Sequence, residues 1–338
     1  MHVDNFAHPQ NRLPQSTCRP WPPVSSDEML MTQTLNTIAG QSSLLTDRQL
    51  LLLDTAVDLE LGEGIADPLN YAARLWAQLS LPYRDPGDAP EWVRRNGSIT
   101  LRISPGMITA QDGSRKRAYP YGVIPRYLMT WMTTEAVRTR SRTLHLGDSL
   151  SQFLGKLGMN ASGASGRRMM DQLRRLTVST MNIEDLRNEN ERWSVSGSNF
   201  NVTSKYDLWF SRDDFQGQQP LLGSTITLSE DFYQSVVEAP VPLRPEVLRA
   251  LAGSPMRLDM YTWLVYRLFS LRRPSTVSWN QLANQFGSDY SVQRQFKAAF
   301  EKNLREVRIM YPQANLAVMN SGLRLMPSAQ HIQSKLNP

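Results

Sequence analysis

Residues 120–186 read PYGVIPRYLMTWMTTEAVRTRSRTLHLGDSLSQFLGKLGMNASGASGRRMMDQLRRLTVSTMNIEDL, and the order of elements in this stretch decides the fold. Ile124-Pro125-Arg126 opens a helix, with Pro125 where its missing N–H costs little. Leu128, Trp131, Met132, Ala136 and Val137 recur at helical spacing and give that helix a buried face. Thr143-Leu144-His145-Leu146 has the length of one short strand. Asp148 is placed to cap a helix over 149–156, and Gly158 breaks the chain. Ser165 is placed to cap the next helix, Arg167 to Leu176, whose Met170, Leu173 and Leu176 form its core side. Residues 177–183 then alternate as a strand. Helix, strand, helix, glycine turn, basic helix and ribbon is the order of a winged helix-turn-helix domain, a unit that binds duplex DNA.

Outward from this stretch, residues 1–43 are rich in proline, serine and threonine and read as a disordered arm. The pattern predicts a helix over 46–61 and a second over 68–79, with Asp67 as cap and Pro68 at the tolerated first position. A proline-rich loop follows, then short strands at 91–93, 98–103 and 107–109. Asp112-Gly113 is a strong hairpin-turn signal. These elements either pack on the first winged domain or belong to its sheet. The ribbon from 177 to 210 is its wing. A strand at 225–228 and a helix at 230–238, capped by Ser229, lead into a second copy of the same order. That copy comprises helices at 244–251 and 256–271, a strand at 276–278, helices at 279–286 and 291–307, and a ribbon from 307–312, 316–319 and 322–326. The expected class is α+β, with tandem winged helix-turn-helix domains behind a disordered arm. The expected divisions are 1–43, 44–222 (core 120–213), 223–327 and a flexible tail, 328–338.

Composition sets the partner class. A formal charge of +6 favours a polyanionic partner, and most of the cations are arginines, which suit bidentate contacts to phosphate or guanine. Cys18 is the single cysteine, so no disulfide framework exists and a reducing, cytoplasmic compartment fits. Leu50-Leu51-Leu52-Leu53 is too short, and too close to Asp47, Arg48 and Asp54, to span a bilayer.

The candidate DNA-binding residues fall in three groups. On the first basic helix Arg167, Arg168, Arg174 and Arg175 are opposed by Asp171 alone, with Arg168 and Arg175 two turns apart on one face. The alternative is an exposed helix that arginines keep solvated. On the second, Gln293, Arg294 and Lys297 open a helix that also carries Lys302, Arg305 and Arg308 around the apolar stripe Val292, Phe296, Ala299, Phe300, Leu304 and Val307. Glutamine reads adenine and arginine guanine at such a position. Lys297 with Glu301, and Lys302 with Glu306, are i,i+4 pairs that divert part of this charge. Arg115-Lys116-Arg117 form a loop-borne triplet, able to reach phosphate or a minor groove and equally able to be a solvated face. Trp131, Trp263, Trp279 and Phe300 read as core.

Other chemistries find little support. His2, His8, His145 and His331 form no metal-binding spacing, and no phosphate-binding G-x-x-x-x-G-K-[ST] occurs. Asp213-Asp214, with Asp207 before them, are the nearest thing to a carboxylate pair and read as a solvated turn. No metal or cofactor is expected, and no enzyme.

Residues 121–157 resemble the plasmid-encoded RepA family of replication initiators. The likeness is carried by Ile124-Pro125-Arg126, by the run from Trp131-Met132-Thr133-Thr134 to Arg142, by Leu146-Gly147-Asp148-Ser149 through Leu154, and by Gly158. Arg168, Asp171-Gln172 and Leu173 continue it, and a looser likeness extends over about 90–320. The resemblance implies binding to repeated duplex sites at a plasmid origin and distortion or opening of nearby DNA. It also implies recruitment of host initiator and replicative helicase, and a homodimer that represses its own gene or pairs origins. For the basic helix it implies DNA contact by Arg167, Arg168, Arg174 and Arg175. A transcriptional repressor using the same domains, or a partition adaptor, remains open on the residues alone.

Overall fold

The two long apolar patterns of the chain, 123–139 and 255–269, become deeply buried helices, and the other elements are arranged around them. The structure, a computed structural model, describes residues 45–61, 68–109, 112–189, 192–208, 223–287 and 290–332. In chain order these form α1 (Asp47–Leu61), β1 (Asn70–Ala73), α2 (Arg74–Gln78), β2 (Trp92–Asn96), β3 (Ile99–Ser104), β4 (Gly106–Thr109), β5 (Arg115–Ala118), α3 (Val123–Thr139), β6 (Thr143–His145), α4 (Leu150–Lys156), α5 (Gly163–Val178), β7 (Thr180–Glu189), β8 (Arg192–Asn201) and β9 (Thr203–Asp207). They continue as β10 (Thr225–Leu228), α6 (Glu230–Glu238), β11 (Pro240–Leu243), α7 (Pro245–Ala250), α8 (Pro255–Phe269), β12 (Ser275–Ser278), α9 (Trp279–Phe286), α10 (Gln293–Met310), β13 (Leu316–Met319) and β14 (Gly322–Leu325). The fold is mixed α/β, made of helices and several small antiparallel sheets. The expected arm, Asp67, Cys18 and Asp213-Asp214 lie outside the described residues.

In the first half, helix starts differ from expectation by a residue or a turn. Ser149, not Asp148, caps α4, its Oγ accepting from the Gln152 N–H at 3.2 Å. Ser162, not Ser165, caps α5, accepting from the Ser165 N–H at 3.1 Å. The first turn of a helix tolerates the small residues Gly163 to Gly166, so α5 begins one turn early. It also ends late, taking in Thr177 and Val178, which the alternation had placed in a strand. Ser179 closes it by donating to the carbonyls of Arg175 (2.7 Å) and Ala118 (3.1 Å).

Strand β7 pairs with β8 on one side (Met181 opposite Phe200) and with β3 on the other (Ile103 opposite Met181). The N-terminal strands therefore belong to the sheet of the first ribbon, in the order β2-β3-β7-β8. Strand β6 joins a different sheet, β6-β10-β9, so β10 lies across the division expected at 222 and packs with elements before it.

The helix expected over 68–79 is a strand followed by a short helix. β1 pairs antiparallel with β11, Asn70 opposite Leu243 and Ala73 opposite Pro240. The Tyr71 N–H donates to Thr134 Oγ1 on α3 at 2.8 Å, and Ala72 and Ala73 are buried. Pairing with β11 and burial against α3 override the local helix preference of Ala72 and Ala73, while Leu75 stays helical in α2.

The second half follows the expected order closely. Its sheet is β12-β14-β13, with the α9 to α10 turn between strand and hairpin. Helix α10 runs to Met310, so the expected strand from 307 is helical; Val307 continues the buried stripe of Phe300 and Leu304, and Ile309 and Met310 are buried as well, so the last turn is covered on more than one side. Trp263, Phe286, Phe300 and Trp279 meet edge to face with centroids 5.5–5.8 Å apart, as core. In the segment 328–332, expected in a free tail, His331 is buried. His331 lies edge-on to Tyr261 and Tyr311, with centroids 5.6 and 4.4 Å away, and Tyr311 Oη donates to the Ala329 carbonyl at 3.2 Å.

One buried ion pair joins the halves, and a second, partly exposed cluster ties α1 to the second half. Arg126 of α3 makes a bidentate pair with Asp259 of α8, both bonds 2.7 Å, and donates further to the carbonyls of Leu81, Pro82 and Gly122. Burial pushes the Asp259 carboxyl above its usual range, and Arg126 opposes that shift. Glu306 of α10 is held by Arg48 of α1 at 2.7 Å and by Arg257 of α8.

Candidate nucleic-acid interface

Helix α5 is anchored by Met169, Met170, Leu173 and Leu176, all buried, which turns Arg167, Arg168 and Arg174 outward. Arg167 and Arg174 are seven residues apart, about 10 Å along the axis, the reach of neighbouring phosphates along a groove. Arg175, expected beside them at the surface, is only 5% exposed. Its Nε donates to Asp171 at 2.7 Å, its Nη1 to Asp85 at 3.2 Å and to the Tyr119 carbonyl at 3.4 Å, and it stacks 5.2 Å over the Tyr121 ring. Arg175 still lies two turns from Arg168 along one face, but Asp85 of the 80–90 loop covers that end of it and takes Arg175 into the fold. The pairing also occupies Asp171, the one acid opposing the arginines.

The basic triplet is not in a loop. It forms β5, paired with β4, Thr109 opposite Arg115 and Met107 opposite Arg117. Asp112 makes the turn, accepting from the Ser114 N–H at 2.9 Å and Oγ at 2.6 Å, bonds that hold its carboxyl below the usual range. Gly113 takes the left-handed conformation (φ 82°) that the turn needs. Arg115 and Lys116 are exposed, whereas Arg117 is tied to Asp88 at 3.0 Å and to its carbonyl at 2.8 Å. Arg174 Nη2 donates to the Thr109 carbonyl at 3.4 Å, so the hairpin stands beside α5 and sets Arg115 near Arg174. That approach depends on Gly106, where a Cβ would sit 2.3 Å from the Val178 carbonyl oxygen.

Helix α10 offers the second basic face. Phe296, Phe300, Leu304 and Val307 are buried, and Gln293, Arg294, Lys302, Arg305 and Arg308 are exposed. Val292, expected in the apolar stripe, is the cap residue, 46% exposed and without a side-chain acceptor. Gln293 Nε2 donates to Asn280 Oδ1 of α9 at 2.7 Å. Lys297 lies 4.9 Å over the Trp279 ring and 3.8 Å from Glu301, so its charge is partly engaged. The expected Lys302–Glu306 pair does not form; Glu306 turns inward to Arg48 and Arg257. The sequence reading passed over Arg324, exposed on β14 of the hairpin that follows α10. The alternation Leu323-Arg324-Leu325, with both leucines buried, was the signal that could have found it.

Among the described residues no group of three or more His, Cys, Asp or Glu side chains could hold a metal ion. No described helix is long and apolar enough to cross a membrane.

Comparison with known proteins bears on this geometry. No curated protein matches the chain. Among solved structures it is similar to domains 2 and 3 of RctB, in a selenomethionine derivative, at 12% identity and a TM-score of 0.50, covering 76% of this chain and 98% of that one. A second structure of RctB domains 2–3 aligns at 13% identity and a TM-score of 0.44, covering 69% of this chain and 82% of that one. At such identity the likeness is one of fold. Residues 119–281, just under half of the chain and spanning α3 to the start of α9, match the family model described as "Plasmid encoded RepA protein".

Proposed function

We propose that this protein initiates plasmid replication by binding repeated duplex sites at an origin through two winged-helix halves. The first half presents α5 with hairpins β4–β5 and β7–β8; the second presents α10 with the wing β13–β14. The observation that carries the reading is the recurrence of helix, strand, helix, arginine-faced helix and hairpin in a chain whose residues 119–281 match the RepA model. Arg167, Arg168 and Arg174, with Arg115 and Lys116, supply mainly phosphate contact; Gln293 and Arg294, at the start of α10, supply base reading. Arg175 and Arg117 support these groups from within, and Lys297 contributes less than its neighbours. The exposed cations of both helices suit a polyanion, and the duplex is then the partner through which host initiator and helicase are brought to the origin.

The test has two arms. Duplex binding measured against salt should give a steep linear slope of log affinity on log salt, one charge lost from the slope for each phosphate-facing arginine removed. A plasmid carrying the origin should replicate only when this protein is supplied in trans. Salt-sensitive, site-specific binding without replication would make the protein a repressor; salt-insensitive binding would remove DNA from the account.

A further inference from the structure

The last residue of α8 is an aromatic that the core does not take. Leu268 is buried and completes the apolar side of the helix, whereas Phe269 beside it is 61% exposed. Tyr266, one turn earlier, is half-buried and shares that edge of the helix. Arg74 of α2 reaches it: its Nε donates to Tyr266 Oη at 2.9 Å, and its guanidinium lies 5.7 Å from the ring centroid. The Leu271 N–H bonds back to the Leu268 carbonyl at 3.3 Å, so the chain turns tightly here and keeps Arg272 and Arg273 close to the helix end. Arg267, Arg272 and Arg273 are exposed, and among the described residues none of them has a hydrogen-bond or ion-pair partner. No Asp or Glu occurs in residues 260–288.

The dipole of α8 accounts for Arg267, which stands in its last turn. It does not account for Arg272 and Arg273, which lie past the helix end, because the effect falls off within that turn. Nor does it call for an aromatic. A single exposed apolar side chain needs no explanation, but a phenylalanine set among cations without counter-charges is a different surface. Its flat face suits a stacked base, and the arginines suit the phosphates on either side. The patch is also separate from the groups assigned to the duplex. β12 begins at Ser275, opposite Leu325, and ends at Ser278, opposite Gly322 at the wing turn. Gln293 bonds to Asn280, next to that second end. Phe269 and its arginines join the sheet at the other end, about 10 Å away along the strand. Arg324, opposite Thr276, continues the line of exposed cations between the two.

We propose that this patch binds single-stranded DNA, with Phe269 stacking on a base and Arg267, Arg272 and Arg273 holding the phosphates around it. A duplex offers no open base face away from its ends, so the aromatic selects the unpaired strand. An acidic peptide would meet the arginines and leave the ring without a partner. The inference goes beyond the duplex reading and does not depend on it, because none of these residues is in the groups assigned to duplex contact.

The test is fluorescence anisotropy of the full chain with a labelled oligothymidylate of about 15 nucleotides, within the range of site sizes that single-strand binders use. Phe269→Ala should weaken binding by about 5- to 150-fold, the worth of one stacked base, and Phe269→Trp should keep it. Arg272→Gln/Arg273→Gln should lower the slope of log affinity on log salt by about 1.4, at about 0.7 for each single-strand phosphate. That variant changes exposed charge alone and decides the matter if Phe269→Ala fails to fold. Affinity for a hairpin-capped duplex should be unchanged in all three, and an oligoaspartate of equal charge should compete poorly with the oligothymidylate. Four results would each overturn the site: no binding of the oligothymidylate, binding undiminished in Phe269→Ala and in the arginine variant, an equal loss on the duplex, or equal competition by the oligoaspartate.

Discussion

Removing the Asp259 carboxylate tests whether a buried ion pair fixes the two halves against each other. Arg126 is 8% exposed and Asp259 equally so; they share two 2.7 Å bonds, and the guanidinium also lies 5.1 Å over the Tyr83 ring. Asp259→Ala leaves a buried cation with three backbone carbonyls and no counter-charge. Breaking a buried pair from one side costs about 3–5 kcal/mol. For a chain of this size that is a fall in Tm on the order of 10 °C. Arg126→Met should cost as much at pH 8 and less at pH 5. The stranded Asp259 carboxyl, already raised by burial, can take a proton at lower pH and lose its charge. Arg126→Met/Asp259→Leu should recover part of the loss and not all, because the carbonyls of Leu81, Pro82 and Gly122 keep no donor from Arg126. Urea denaturation followed by far-UV circular dichroism measures all three. Single variants that each cost under about 1 kcal/mol would refute the reasoning, since a pair worth so little is a solvated one.

Four further outcomes are expected. Arg168→Ala should weaken duplex binding and reduce the salt slope by about one with Tm unchanged, whereas Arg175→Ala should cost about 2–4 kcal/mol of stability through its lost buried bonds; comparing melting curves with binding isotherms separates them. Gln293→Ala/Arg294→Ala should cut the preference for specific over random duplex by about 1–3 kcal/mol per lost base contact, read by competition footprinting. Gly106→Ala should strain the approach of β4 to α5 by about 1–3 kcal/mol and weaken DNA binding beyond that expected from stability, measured as affinity at a temperature where the variant is folded. Burial holds the His331 imidazole down at about 3. A depressed histidine contributes stability that is complete above its unfolded value near 6.5 and lost as pH falls toward 3, amounting to about 2 kcal/mol by pH 5. His331→Phe should flatten that dependence in denaturation curves at pH 7 and pH 5.

Much of the fold was legible because element order and apolar spacing are local properties. The helix at 123–139 is set by its apolar stripe, those at 230–238 and 279–286 by serine caps as well, and Ser229 caps as its position implies. What was not legible depends on distant partners. Nothing near Tyr71 announces that its strand pairs with Val241 and Pro242, and nothing near Arg175 announces Asp85. The same holds for the site. The arginines of α5 were visible as a cluster, but which of them face solvent depends on the loop that covers one edge. The nearness of Arg115 to Arg174 is a product of the β4–β5 hairpin. Arg324 was within reach, since the leucines flanking it show which side of β14 is buried.

The ion pair between Arg48 and Glu306 spans 258 residues of sequence, and the β1–β11 pairing closes a loop from Asn70 to Leu243. During synthesis at about 5–20 residues per second, α1 emerges from the ribosome roughly 10–50 s before its anchor on α10 exists. Through that interval Leu52 and Ala56, buried in the finished protein, have no surface to cover them. The full docking of α1 is therefore completed only late in synthesis. The chain's first helix waits for its last long one: a product that ends before residue 306 keeps the bonds of Arg48 to the Ala250 and Ala252 carbonyls but lacks the Glu306 carboxylate and the α10 face.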